Sequence, residues 1–224
     1  MEKIIIANHK MNLNKDQIKN YINVIKNTKL NIVIAPTSIY IPYFIENNIK
    51  TALQNIYSEN EGYYTGEISP MQAKKMNVEY VMIGHSERRR VFNETDEDIN
   101  KKIKKALENN LKVILFIGDN IGEDYKEILH NQIIEDLKDV TKEVIIAYEP
   151  VYAIGTNITP EKEELKEIIK YIKNHFKYNV KVLYGGSVTK KTAKNLKMNE
   201  LDGYVIASSS LNPDEFLEIG EVLS

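Results

Sequence analysis

The sequence has no cysteine and no tryptophan, and only ten glycines and six prolines among its 224 residues. Without cysteine there can be no disulfide, no thiolate metal site and no cysteine nucleophile. So little glycine and proline excludes a collagen-like or low-complexity chain. No apolar run approaches the roughly 18 residues that a membrane-spanning helix needs, and Ile4–Ile6 is too short for a signal peptide. We therefore expect no membrane partner and a cytoplasmic location.

Neither sign of charge is in large excess. Lysine and arginine together number 30 against 32 aspartates and glutamates, which gives a net charge of −2. This balance excludes the broad basic surface of a nucleic-acid binder. Hydrophobic residues make up 42% of the chain and no linker or change of composition divides it. We therefore expect one folded domain over residues 1–224.

Eight short apolar runs recur along the chain, and their Val- and Ile-rich composition predicts strands buried on both faces, as in a parallel sheet. The runs are Ile4–Ala7, Ile32–Ala35, Thr51–Leu53, Tyr80–Ile83, Val113–Ile117, Val144–Ala147, Val180–Tyr184 and Gly203–Ala207. Stretches of helical periodicity, such as Leu165, Ile168, Ile169 and Ile172, separate them. Eight such units predict a (β/α)8 barrel shorter than the usual length of about 250 residues. An open doubly wound sheet is the alternative.

Three sequences indicate where helices begin. Thr95, with Asp98 three residues later, is typical of a capping box. Thr159 and Asn212 each precede a proline and then acidic residues, so we expect each to cap a helix whose first residue is the proline. The acidic first turns would favour the positive end of each helix dipole.

Polar groups follow five of the predicted strands. In a barrel, the carboxyl ends of the strands form the active-site face. The segments there are Asn8-His9-Lys10, Gly84-His85-Ser86-Glu87, Tyr148-Glu149-Pro150, Gly185-Gly186-Ser187 and Ser208-Ser209-Ser210. Each segment alone has an ordinary structural explanation, but their convergence predicts a catalytic site. His130 and His175 fall in or near predicted helices, and we expect both to be structural.

All three arginines of the chain lie together at Arg88–Arg90. Arginine is preferred to lysine where a planar fork must hold a carboxylate, and Glu87 and Glu94 are nearby candidates. We expect a partly buried ion-pair network behind His85, with a solvated basic run as the alternative. No metal-binding motif and no Walker A motif is present. Phosphate binding would therefore depend on short Gly/Ser turns and helix N-termini.

The strings at these strand ends, in their order along the chain, resemble the triosephosphate isomerase family. They are Asn8-His9-Lys10-Met11-Asn12, Tyr63-Tyr64-Thr65-Gly66-Glu67-Ile68-Ser69, Ile83-Gly84-His85-Ser86-Glu87-Arg88-Arg89, Ala147-Tyr148-Glu149-Pro150-Val151-Tyr152-Ala153-Ile154-Gly155-Thr156 and Tyr184-Gly185-Gly186-Ser187-Val188. The resemblance covers nearly the whole chain. It implies a single-domain α/β TIM barrel that interconverts dihydroxyacetone phosphate and D-glyceraldehyde 3-phosphate without a cofactor or a metal.

The resemblance also implies roles for the polar residues. Glu149 would be the base that carries a proton between neighbouring carbons, and His85 would polarise the carbonyl and move protons between the two oxygens. Lys10 would add positive charge against the phosphate and the developing enediolate. Asn8 would donate a hydrogen bond to a substrate oxygen, and Glu87 would support Lys10 and His85.

A mobile lid and a phosphate site follow from the same resemblance. The lid would consist of Pro150, Val151, Tyr152, Ala153, Ile154, Gly155 and Thr156. The backbone N–H of Gly155 and the residue Ser187 would bind the phosphate. Backbone N–H groups of Ala207 and Ser208 would join them, although the family usually has Gly-Gly there. The added Cβ atoms predict weaker phosphate binding and a raised KM.

Other departures from the family pattern are milder. Tyr152 replaces the usual Trp of the lid, Asn157 replaces a Gly, and His9 replaces a Trp of the first motif. We expect His9 to pack or to hydrogen-bond within its loop. The segments flanking the sixth strand are short, which predicts clipped fifth and sixth helices and exposed apolar surface.

The loop over residues 57–69 would dock into a second subunit, with Thr65 approaching the partner subunit's Asn8 and Glu87. The resemblance therefore implies a homodimer, with a tetramer possible through the exposed surface of clipped helices. Two other functions stay open. One is a barrel that acts on a different small phosphate, and the other is a non-catalytic barrel, supported by the altered turn after the eighth strand.

Overall fold

The computed structural model describes residues 2–156 and 158–224, and its eight strands form one parallel sheet. The strands are β1 Ile4–Asn8, β2 Ile32–Ala35, β3 Ala52–Leu53, β4 Tyr80–Ile83, β5 Lys112–Ile117, β6 Ile145–Tyr148, β7 Lys181–Tyr184 and β8 Gly203–Ile206. They are ordered β2-β1-β8-β7-β6-β5-β4-β3, and a parallel bridge between Ile34 and Thr51 joins the two edges. The (β/α)8 TIM barrel is confirmed, and every strand boundary lies within one residue of its prediction.

Nine helices surround the sheet within the described part of the chain. They are α1 Lys15–Ile25, α2 Ile41–Ile45, α3 Pro70–Lys75, α4 Ser86–Val91, α5 Asp96–Glu108, α6 Tyr125–Asp136, α7 Lys162–Lys173, α8 Ala193–Leu196 and α9 Pro213–Leu223. The helices after β5 and β6, which are α6 and α7, have 12 residues each. They are one residue longer than α1 and α9, which have 11 each; that they are clipped relative to the family stays a prediction.

Two apolar layers hold the barrel together because strand side chains alternate between its inside and its outside. The inner layer packs side chains such as Ile6, Val33, Met82 and Phe116 against each other. The outer layer packs the remaining strand side chains against the buried stripes of the helices, as Leu165 on α7 illustrates. The continuous Val- and Ile-rich runs are the consequence of burial on both faces.

Helix starts agree with two of the three predictions. Thr95 and Asp98 form a reciprocal capping box at α5, and the Asn212 side chain accepts hydrogen bonds from two backbone N–H groups at the start of α9. The prediction at Thr159 is wrong, because α7 begins at Lys162 after an extended Glu161 and has no side-chain cap. Pro160 is instead buried ahead of the helix.

The carboxyl ends of the strands meet at one end of the barrel and carry the predicted site residues. Asn8 ends β1, and His85 follows β4 by two residues. Glu149 directly follows β6, and Ala207 directly follows β8. No helix formed by the described residues is long and apolar enough to cross a membrane.

Candidate active site

His85 lies at the junction of β4 and α4, where its imidazole caps the helix. Its Nδ1 accepts a hydrogen bond from the backbone N–H of Glu87 at 3.2 Å. A ring nitrogen that accepts a hydrogen bond carries no proton, so the imidazole is neutral with its proton on Nε2. This Nε2 lies 3.1 Å from Glu149 Oε1 and is directed into the barrel mouth. The side chain is buried, so the ring presents one N–H donor in one fixed direction.

Glu149 is buried and held by two hydrogen-bond donors. Its Oε1 accepts from His85, and its Oε2 accepts from the backbone N–H of Ser86 at 3.3 Å. Burial opposes ionisation of the carboxyl. The pKa of Glu149 nevertheless lies below its usual range, because the hydrogen bonds from His85 and the Ser86 N–H, together with the charge of Lys10, favour the carboxylate. The side chain is therefore an ionised carboxylate, the form that a base requires.

The backbone of Glu149 is fixed by the neighbouring strand. Its N–H donates to the carbonyl of Ile117 at 2.8 Å. A Cβ at Gly118 would lie 2.0 Å from the carbonyl oxygen of Glu149. Only glycine fits at this close approach, so Gly118 is required for the position of Glu149 at the end of β6.

Lys10 and Glu87 form an ion pair at the mouth of the barrel. Lys10 Nζ lies 2.5 Å from Glu87 Oε1, and both side chains are partly exposed. The backbone N–H of Lys10 donates to Asn8 Oδ1 at 3.1 Å, and Asn8 Nδ2 lies 3.4 Å from His85 Nε2. Lys10 has a φ of +49°, an uncommon left-handed conformation for a residue with a side chain. Such backbone strain is typical of functional sites.

The three arginines form the expected network in part. Arg88 and Lys102 both bind the buried carboxylate of Glu94. Arg90, in contrast, is exposed. Of the two candidate partners, Glu94 pairs with Arg88, whereas Glu87 pairs with Lys10.

Arg89 is the central member of the network. It contacts Asp96 at 2.6 Å and the fully buried Asp136 at 2.5 Å. It also donates to the carbonyl of Gly84 at 2.8 Å, directly before His85. The partly buried network behind His85 is therefore present.

A cavity of about 350 Å³ joins Lys10 and Glu149 to the turns after β7 and β8. Its lining includes Ile154, Gly155, Gly185, Gly186, Ser187, Ala207 and Ser208. The hydroxyl of Ser187 donates to the carbonyl of Ala153 at 2.6 Å, which connects this turn to the segment after β6. The structure thus brings together every residue that the resemblance placed in the phosphate site.

The turn after β8 has no left-handed backbone at its first two residues. Ala207 has a φ of −99°, and neither Ala207 nor Ser208 is among the described residues with positive φ. Both positions therefore accept a side chain without backbone strain. The carbonyl of Ala207 accepts hydrogen bonds from the N–H and the hydroxyl of Ser210 at 2.8 and 2.6 Å. Any effect on phosphate binding must come from the added Cβ atoms.

The segment over residues 150–156 contains a short 3-10 turn, Val151–Ala153, and hydrogen bonds hold the first and last residues of this turn. The N–H of Val151 donates to the carbonyl of Asp119 at 2.9 Å, and Ala153 is held by Ser187. The hydroxyl of Thr156 donates to the carbonyl of Tyr152 at 3.0 Å. Asn157, which was expected to replace a glycine here, lies outside the described residues.

Two contacts of this site were not anticipated from the sequence. The first is the hydrogen bond from the Ser86 N–H to Glu149, which depends on β4 and β6 lying on either side of β5. The hydroxyl of Tyr148 donates to Asp119 Oδ1 at 2.8 Å, and burial raises the pKa of Asp119. The neighbouring hydroxyl of Tyr184 is buried without a hydrogen-bond partner among the described residues. The sequence did offer a signal for the contact between Tyr148 and Asp119, because each of these polar residues follows a predicted apolar strand.

His9 lies behind the site rather than in it. Its ring is fully buried and packs edge-on against Tyr21, with ring centroids 4.6 Å apart. Neither ring nitrogen has a hydrogen-bond partner within the described chain. Burial lowers the pKa of His9 to about 4. The expectation that His9 packs is confirmed.

The fold and the site define an α/β-barrel enzyme with a carboxylate and a neutral imidazole at the carboxyl ends of its strands. The triosephosphate isomerase family model matches residues 3–223. The chain is 39% identical to triosephosphate isomerase of Clostridium botulinum (strain Loch Maree / Type A3), over 96% of this chain and 97% of that protein. It is 36% identical to the Clostridium tetani (strain Massachusetts / E88) enzyme of the same name, over 96% and 94%. The chain belongs to the triosephosphate isomerase family.

Proposed function

We propose that this chain interconverts dihydroxyacetone phosphate and D-glyceraldehyde 3-phosphate, as an intramolecular aldose–ketose isomerase of glycolysis and gluconeogenesis. The observation that carries the proposal is the convergence of the Glu149 carboxylate and the His85 Nε2–H, 3.1 Å apart. The reaction removes a proton from a carbon beside a carbonyl and returns it to the neighbouring carbon. It therefore needs a carboxylate base and a neutral hydrogen-bond donor at adjacent atoms of one substrate.

Glu149 is the base in this proposal. Its contacts with Ser86 N–H and His85 hold the carboxylate at the wall of the cavity. On substrate binding the carboxylate leaves these donors and faces the reacting carbon. Loss of the two hydrogen bonds makes the carboxylate a stronger base.

His85 and Lys10 act on the substrate oxygens. The His85 Nε2–H donates to the carbonyl oxygen, where negative charge develops as the carbon loses its proton. Lys10 places a positive charge in the same cavity, held in position by Glu87. Asn8 supplies a further amide donor beside His85 Nε2. Fixed donors and charges of this kind stabilise the enediolate more than the bound substrate.

The phosphate lies, in this proposal, at the turns after β7 and β8. Gly155, Ser187, Ala207 and Ser208 surround that end of the cavity. The segment 150–156 closes over the phosphate as a lid, with Gly155 donating its N–H. Closure excludes water, which protects the enediolate and strengthens the electrostatic contacts.

A homodimer is the assembly we propose. A cavity of about 390 Å³ lies beside Lys10 and Glu87, and Met11 and Phe92 line it with exposed apolar surface. Such a surface is typical of a protein interface. The loop 57–69 of a second copy would cover it, with Thr65 approaching Asn8 and Glu87. A tetramer has less support, namely the half-exposed Ile134 on α6. Light scattering that shows only monomer would contradict the dimer.

The function is tested by isomerisation of D-glyceraldehyde 3-phosphate, coupled to reduction of the dihydroxyacetone phosphate that forms. We expect rapid, saturable turnover by the purified chain. Activity with another small phosphate alone would favour the different-substrate barrel. Folded protein without activity at any substrate concentration would favour the non-catalytic barrel. The cytoplasmic location, proposed because the substrates belong to glycolysis, is tested by cell fractionation.

A further inference from the structure

Two histidines outside the candidate active site meet on the outer surface of the barrel. His130 is exposed on α6, and His175 follows the end of α7 by two residues. His130 Nδ1 lies 3.2 Å from His175 Nε2, and the ring centroids are 5.4 Å apart. Neither ring takes part in the isomerisation proposed above.

The hydrogen positions on this pair follow from a third contact. His175 Nδ1 lies 3.0 Å from the backbone carbonyl oxygen of Tyr171. A carbonyl oxygen can only accept, so His175 Nδ1 carries a hydrogen. The Nε2 of a neutral His175 therefore presents its lone pair to His130. In the metal-free protein His130 Nδ1–H donates to that lone pair.

The separation of the two nitrogens suits a shared metal ion. Two imidazole nitrogens at about 2.05 Å from one tetrahedral ion are about 3.3 Å apart. The observed separation is 3.2 Å. We propose that His130 and His175 form a surface binding site for a divalent transition-metal ion of the Zn²⁺ and Cu²⁺ class, whose preferred protein ligand is imidazole. Water completes the coordination.

Metal binding changes the position of one hydrogen on the histidine pair but does not change the number of hydrogens. His175 keeps its hydrogen on Nδ1 and binds the ion through Nε2. His130 moves its hydrogen from Nδ1 to the solvent-facing Nε2 and binds the ion through Nδ1. Two neutral imidazoles therefore coordinate the ion without net proton release.

Contacts beyond the two ligands already orient the His175 ring. Its Nδ1–H donates to the Tyr171 carbonyl, the type of outer contact that fixes the tautomer and raises the basicity of a metal-bound imidazole. The Tyr171 ring packs edge-on against it at 4.8 Å. The Tyr171 hydroxyl donates to the carbonyl of Lys126 on α6 at 2.9 Å. The pair thus spans α6 and the end of α7, and a bound ion would clamp the two together.

The site has two protein ligands rather than three. Within residues 2–156 and 158–224 no group of three or more His, Asp or Glu side chains is suitably placed for a metal ion. We therefore expect moderate affinity, with Cu²⁺ bound more tightly than Zn²⁺ in accordance with the general order of divalent ions.

The test is a calorimetric titration of the purified full chain with ZnCl₂, and separately with CuCl₂, at neutral pH. We expect one ion per chain and a melting temperature that rises with metal concentration, because a ligand that binds only the folded state stabilises it. His130→Gln and His175→Gln should each weaken binding by at least about tenfold and remove the rise. Glu127→Gln, which changes an exposed carboxylate on α6, should retain both effects.

Two results would overturn the proposal. One is a wild-type protein without this binding, and the other is a His130→Gln variant that binds as tightly as wild type. Electron paramagnetic resonance of the Cu²⁺-loaded wild type gives a readout without any variant, since two coordinated nitrogens should split the signal. All three variants should keep wild-type isomerase activity without metal, because none lies in the barrel mouth.

Discussion

His85 Nε2 lies 3.1 Å from Glu149 Oε1, while the other nitrogen of the same ring accepts the N–H of Glu87. One backbone hydrogen bond therefore fixes both the charge and the direction of the imidazole. The ring faces Glu149 as a neutral donor rather than as a cation. A neutral imidazole beside an ionised carboxylate can polarise a carbonyl and leave the proton transfer between carbons to Glu149.

Replacement of Lys10 by Met should remove the positive charge from the cavity that holds Glu149 and the proposed phosphate site. We expect kcat/KM to fall by about 10²–10³, because a preorganised charge or donor at the reacting oxygens contributes this much. KM and kcat should both change, since in the proposed mechanism the ammonium faces both the phosphate and the enediolate. Lys19→Met, at an exposed position of α1, makes the same change in net charge and should leave the rates unaltered. Equal losses in both variants would point to net charge instead of position.

Glycine at positions 207 and 208 should strengthen phosphate binding. The present residues have no backbone strain to relieve, because Ala207 has a φ of −99°. The gain would come from closer approach of the phosphate to the backbone N–H groups once two Cβ atoms are gone. We expect the double variant Ala207→Gly/Ser208→Gly to lower KM with a smaller change in kcat. An unchanged KM would show that the side chains do not limit the approach.

The stability of the protein should depend on the buried ring of His9. Burial lowers its folded-state pKa to about 4, so between pH 6.5 and 4 the unfolded state binds more protons. The free energy of unfolding should fall as the pH falls through this range, by about 3 kcal/mol from this group. His9→Phe keeps an aromatic ring and should flatten that slope in urea melts. His130→Gln, at an exposed histidine, should keep it. A slope that persists in His9→Phe would assign the acid sensitivity to other groups.

Arg89 should be the most important of the three arginines for stability. It is the partner of the fully buried Asp136, whose pKa burial raises to about 7 even with the guanidinium present. Arg89→Met leaves this carboxyl unpaired, at an expected cost of about 3–5 kcal/mol in unfolding free energy. Arg90→Met, at an exposed position, should change it by less than about 0.5 kcal/mol.

A double variant separates the ion pair from simple packing. Arg89→Met combined with Asp136→Asn removes both charges, so its cost should be smaller than the sum of the two single costs. Strictly additive values in denaturant melts would mean that the two side chains do not interact in solution.

Sequence alone could predict the barrel because its strands are buried on both faces. That burial demands continuous runs such as Val113–Ile117, and the runs mark the strands to within one residue. The residues at the mouth were predictable for the same reason, since each follows a run directly. The start of α7 was not predictable, because its apolar stripe begins only at Leu165. Such a stripe shows which face of the helix is buried but does not show at which residue the helix begins.

Contacts between distant residues were beyond the reach of the sequence. Arg89 and Asp136 are 47 positions apart, and His130 and His175 are 45 apart. No local period relates such pairs, and each depends on how neighbouring βα units pack around the barrel. The hydrogen bond from Ser86 N–H to Glu149 belongs to the same class, because it needs β4 and β6 on either side of β5.

The kcat of Glu149→Asp shows most directly whether Glu149 carries the proton between the two carbons. The shorter side chain keeps the charge but withdraws the carboxylate from the reacting carbon. We expect a kcat lower by about 10²–10⁴, the range that a positioned general base contributes, with little change in KM. Wild-type kcat in the folded variant would contradict it, and the base would have to be sought elsewhere in the cavity.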